Sequence, residues 1–61
     1  MEWIHLIIYR REDYIYGETF ITQEVIRAFA NLSDAKNYKN WLDQKGLDAN
    51  EEYHISTRKV F

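Results

Sequence analysis

Apolar side chains crowd the start of the chain, where Trp3, Ile4, Leu6, Ile7, Ile8 and Tyr9 are interrupted only by His5. β-Branched and aromatic types in a run too short for a free-standing helix predict a strand over residues 3–10. Strand alternation sorts it into two faces, Ile4, Leu6 and Ile8 on one and Trp3, His5, Ile7 and Tyr9 on the other. Both are apolar. The polar stretch from Arg10 to Asp13 breaks the run and Gly17 adds a turn signal, so residues 11–19 read as a long hairpin connection whose Tyr14–Tyr16 portion can extend a ladder at the tip.

From Phe20 to Ala30 the pattern serves two periods. Val25, Ile26, Phe29 and Leu32 fall at helical spacing, whereas Ile21, Val25 and Phe29 suit one face of a strand. A strand over about 21–30 is favoured, because the next segment carries a much stronger helix signal. Asn31 or Ser33 can cap, Asp34 suits the positive N-terminus, and Ala35, Tyr38, Leu42 and Lys45 line one stripe, with Trp41 at its margin. Lys45, Gly46 and Leu47 then supply a last-turn cation, a left-handed residue and an apolar contact, ending a helix over about 33–45. After an acidic loop from Asp48 to Glu52, a last strand over Tyr53–Val60 carries Tyr53, Ile55 and Thr57 on one face and His54, Ser56 and Arg58 on the other. The expected fold is α+β: one domain over residues 1–61, β-β-α-β, with a three-stranded antiparallel sheet of order 2-1-3 and one helix on one face. The first strand is then central, which fits its two apolar sides.

One helix covers one side of such a sheet. The expected pairing sets Ile4, Leu6 and Ile8 against Ala35, Tyr38 and Leu42, and leaves Trp3, Ile7 and Tyr9 facing water. An exposed cluster of that kind marks an interface, and aromatic anchors supply much of the energy there. The alternative is that the 11–19 loop folds back and covers the cluster with Tyr14, Ile15 and Tyr16. Size sharpens the point, because a 61-residue chain has a thin stability margin. With no cysteine, disulfides and thiolate zinc sites are excluded, and a partner subunit is the remaining device. A homodimer through that sheet face or an edge strand is expected. The net charge of −2 gives no positive field to gather nucleic acid or an anionic membrane. The first apolar run is too short to cross a bilayer, and Glu2 stands where a secretion signal would carry positive charge. The chain therefore reads as a complete, cytoplasmic gene product.

Other candidate chemistry is weaker. His5 and His54 can share one face of neighbouring strands, but two imidazoles without a third and fourth ligand make no metal site. Ser33, Ser56 and the threonines offer hydroxyls with no base and orienting acid at an arguable spacing, so no catalytic residue and no cofactor is assigned. Glu12, Asp13 and Glu18 near the hairpin tip, and Asp43, Asp48, Glu51 and Glu52 after the helix, allow an acidic mimic of nucleic-acid phosphates. Arg10, Arg11 and Arg58 beside aromatic residues allow a stacking platform for single-stranded DNA or RNA, although no ribonucleoprotein-type motif is present. The Asn31-Leu32-Ser33 triplet matches a glycosylation acceptor and has no meaning without secretion.

The stretch Ala28-Phe29-Ala30-Asn31-Leu32-Ser33-Asp34-Ala35, followed by Tyr38 and Trp41-Leu42, resembles the strand-to-helix junction of many small bacterial and phage proteins. With its flanking strands the chain is similar in plan to the short RNA-polymerase inhibitors that lytic bacteriophages make during host takeover. The resemblance lies in element order and transfers no site residue. It implies a small phage-type protein, acting in the host cytoplasm, that regulates or inhibits a host protein by occupying its surface. The sequence thus points to a non-enzymatic protein-binding module with Trp3, Ile7, Tyr9, Tyr14 and Tyr16 as contact residues.

Overall fold

The structure is a computed structural model that describes residues 3–60. Four elements follow in order: β1 (Trp3–Ile15), β2 (Glu18–Phe29), α1 (Leu32–Gln44) and β3 (Glu51–Lys59). The strands form one antiparallel sheet of order β2-β1-β3, as the alternation requires. The Cα trace measures 46 × 28 × 11 Å, a slab one sheet and one helix thick.

The first two strands run further than the hydrophobic pattern indicates. The polar residues after Tyr9 stay in the ladder, where Arg10 lies 3.4 Å from Glu12 and 3.6 Å from Glu52, and Arg11 lies 3.1 Å from Asp13. Pairing continues to Ile15 opposite Glu18. The connection is thus Tyr16-Gly17 alone, not residues 11–19, with φ of +52° and +81°. Two consecutive positive φ values define a type I′ turn, whose twist matches that of the strands it joins.

At the other junction Asn31 is the cap, not Ser33. Its Oδ1 accepts from the backbone N–H of Ser33 at 2.8 Å and of Asp34 at 3.4 Å. The helix ends with Lys45 and Gly46 donating backbone N–H groups to the carbonyls of Leu42 and Asp43, and Gly46 at φ +92° takes the left-handed position.

The core corrects the expected choice of face. Ile7 has 0 % of its surface exposed and packs with Ala35 and Leu42, bordered by Phe29, Tyr38, Tyr53 and Ile55. The helix therefore covers the face of Ile7 and Tyr9, and Ile4, Leu6 and Ile8 lie on the helix-free side. The cause is in β3, which has only one apolar face. Its register sets Ile55 beside Ile7 and Tyr53 beside Tyr9, so Tyr53 and Ile55 join the core only if Ile7 does. On β2 the register slips between Ile7 and Ile8, which pair with Arg27 and Val25 and leave Ile26 as a bulge. The extra residue lets Val25 lie on the helix-free side while Arg27 and Phe29 stay on the helix side. There the Arg27 guanidinium sits 5.2 Å from the ring centroids of Phe29 and Tyr38, a cation–π cover over the edge of the core.

Tyr9 closes the arm end of that side. Its hydroxyl donates to Glu51 Oε2, and its ring lies 5.7 Å from that of Tyr53. The bond from Tyr9, then the Asp48 backbone N–H donating to Oε1 at 3.0 Å, hold the Glu51 carboxyl below its ordinary pKa. The same bond, with burial and the Glu51 charge, raises the Tyr9 phenol. A lowered carboxylate contributes stability above its unfolded pKa and loses it as pH falls through the folded value; a raised phenol contributes below its unfolded pKa and loses it as pH rises through the folded one. Stability is therefore expected to decline on both the acid side of the carboxylate range and the alkaline side of the phenol range. Urea midpoints measured from about pH 7 to about pH 3 should fall less steeply in Tyr9→Phe than in the wild type. Equal slopes would show that the bond contributes nothing.

Candidate functional site

β3 pairs with β1 only as far as Arg11 opposite Glu51. Beyond that point β1 and β2 continue alone as a two-stranded arm. Such a ribbon has no third strand or helix to cover it and is marginally stable by itself. Asn50 anchors its root: the Glu12 backbone N–H donates to the Asn50 carbonyl at 2.9 Å, and Asn50 Nδ2 donates to the Glu12 carbonyl at 2.9 Å and to Asp13 Oδ1 at 3.3 Å. The pairing of Glu12 with Ile21, Asp13 with Phe20 and Tyr14 with Thr19 sorts the arm's side chains. Tyr14 and Ile21 lie on the helix-free side, Ile15 and Phe20 on the other.

All four are at least half exposed. Tyr14 is 76 % exposed and Tyr16, at the tip, 100 %. The alternative in which this segment folds back over the sheet is thus overturned, because the ladder holds it straight out from the slab. The arm is a projecting finger with large apolar side chains on both faces and at its end.

The other expected contact residues are dispersed. Trp3 is half exposed at the far end of β1, Ile7 is core, and Tyr9 is half-buried against Glu51 and Tyr53. Ile7 and Tyr9 lie on the face that the helix covers, not on an open one. The three arginines do not form one platform: Arg10 and Arg11 are held by carboxylates, and Arg58 Nε donates to Ser56 Oγ at 2.9 Å. By alternation Arg10 and Arg58 lie on the helix-free side and Arg11 on the other. Most of the acidic rows are paired with neighbours, Glu12 and Glu52 with Arg10, Asp13 with Arg11, Glu51 with Tyr9 and Asp43 with Lys39, leaving Glu18 and Asp48. His5 and His54 cannot share an ion, since His5 pairs with Thr57 and His54 with Ile8 on opposite sides of the sheet. His5 Nδ1 instead lies 2.9 Å from Thr57 Oγ1. No group of three or more potential metal ligands occurs among the described residues, and no helix among them is long and apolar enough to cross a membrane.

Sequence reasoning named Tyr14 and Tyr16, which the structure places on this arm, and did not name Phe20, Ile21 or the anchor Asn50 beside them. The available signal was Tyr16-Gly17 between two β-forming runs, a two-residue hairpin link once the Arg-Glu-Asp stretch is read as cross-paired strand. No protein-family model, curated protein or solved structure matches the chain.

Proposed function

We propose that the chain is a non-enzymatic protein-binding module, a small regulator or inhibitor of bacteriophage type, that engages its partner through the hairpin arm. Tyr16 carries the reading. A tyrosine at φ +52° bears a backbone penalty of roughly 1 kcal/mol that asparagine or glycine largely avoids. Its side chain is wholly in solvent, so the fold gains nothing that offsets the cost. Strain retained at an exposed aromatic tip is accounted for if the ring is placed for another molecule.

The arm's chemistry describes the site it fits. Tyr14, Ile15, Tyr16, Phe20 and Ile21 call for an apolar cleft wide enough for a two-stranded ribbon. Glu18, which has no ion-pair partner among the described residues, favours a basic residue at the rim. Filling such a cleft blocks it sterically, which is the mode of action that host-takeover inhibitors exemplify.

A photoreactive phenylalanine analogue placed at Tyr16, and separately at the exposed helix position Lys36, tests this in a bacterial lysate. A discrete covalent adduct from the arm position and none from the helix position is expected. Equal labelling from both, or no adduct from the arm, would refute the assignment.

A further inference from the structure

The helix-free side of the sheet differs from the arm in chemistry and shape. Half-buried Ile4 and Leu6 and the buried Ile8 of β1 run beside the exposed Val25 and Ala28 of β2, with Ser56 and His54 of β3 on the other flank, and no element among the described residues lies over this patch. Charge sits only at its two ends. At the arm end Arg10 lies between the carboxylates of Glu12 and Glu52, a net single negative charge. At the other end Arg58, opposite Ile4, has no carboxylate partner among the described residues and donates to Ser56.

We infer that a second copy of this chain covers the patch, stacked face to face with its strands antiparallel to those of the first. A two-fold axis lying in the plane between the sheets and crossing β1 near Ile7 sets β1 over β1 and β3 over β3. Residues 52 and 58 lie on either side of the level of Ile55, which pairs with Ile7, so the axis brings Arg58 of each copy opposite Glu52 of the other. The alternative two-fold, which runs along β1 and keeps the strands parallel, sets β3 over the partner's β2, so Arg58 and Glu52 would not meet. Joining through the β2 edge is a poorer option, because the Ile26 bulge interrupts it.

The area suffices. Three strands about 4.8 Å apart over the nine residues of β3 give a face of roughly 30 by 14 Å, and with side-chain relief two such faces remove on the order of 1,000 Å² from water, the lower bound of a specific interface. The two arms lie beyond the overlap and project from opposite ends, so this dimer presents two binding fingers. The inference does not depend on the arm's partner.

Light scattering after size exclusion, at tens of micromolar protein, should give twice the 7.5 kDa chain mass. Val25 is 57 % exposed, so Val25→Glu should yield a folded monomer by circular dichroism. Arg58→Glu should weaken the dimer several-fold, and adding Glu52→Arg should restore it, because the swapped pair again has opposite signs. Tyr16→Asn should leave the mass unchanged. A monomeric wild type, or a Val25→Glu chain that dimerises as before, would overturn the inference, and failure of the charge swap to rescue would overturn the antiparallel arrangement. A monomer whose arm still crosslinks would sink this inference alone.

Discussion

Ile7→Ala is expected to remove about 2–5 kcal/mol of stability, the range for truncating a large aliphatic side chain in a packed core. A 61-residue domain has only about 3–9 kcal/mol in total, so the variant should lose a large fraction of its stability. Ile7 sits on the central strand beneath α1, touching the layer made by Ala35 and Leu42, and its surroundings are contributed by all four elements. No other side chain is as completely enclosed among the large apolar residues. The comparison that gives the prediction its force is Ile4→Ala, the same chemical change on the same strand but on the helix-free side. Measured with both changes in the Val25→Glu background, which removes the proposed dimer, it should cost about 1 kcal/mol or less, because Ile4 is only half-buried. Urea unfolding of the two variants checks this. A larger loss from Ile4→Ala than from Ile7→Ala would return the core to the opposite face.

That choice of face marks where sequence reasoning stopped short. The element order, the antiparallel 2-1-3 sheet and the helix with its Ala35, Tyr38 and Leu42 stripe were all legible, because hydrophobic period, capping and glycine placement report on local structure directly. Which side of β1 meets the helix is not local, since both sides are apolar. The deciding information lay in β3, where Tyr53 and Ile55 share a face opposed to His54 and Ser56, but it becomes usable only with the register that puts Ile55 beside Ile7. The hairpin was misjudged for a related reason. Arg10 to Asp13 look like a loop when read singly and like strand once their partners Gln23 to Phe20 are known. Of the candidate site, Tyr14 and Tyr16 were visible as aromatic residues in a polar stretch, whereas Phe20 and Ile21 join them only through cross-strand pairing.

Tyr16→Asn is expected to act in opposite directions on folding and on binding. The type I′ turn demands positive φ at both central positions, and Asn-Gly is its preferred pair. Asparagine should therefore relieve roughly 0.5–1 kcal/mol of backbone strain. For a domain this small that corresponds to a rise in Tm of a few degrees, about 4–8 °C per kcal/mol. Partner binding should weaken by roughly 30-fold or more, the loss of a tyrosine hot spot worth about 2 kcal/mol or more. A substitution that merely disturbed the arm would lower both quantities together. One at an irrelevant surface residue would raise stability and leave binding alone.

The most direct measurement of the central claim, that the arm tip is built for another molecule, is a side-by-side capture from bacterial lysate on immobilised wild-type and Tyr16→Asn chains, with the melting temperature of each recorded. The account predicts a protein retained by the wild type and lost by the better-folded variant. Retention by both chains at equal yield, or a variant that melts lower than the wild type, would contradict it.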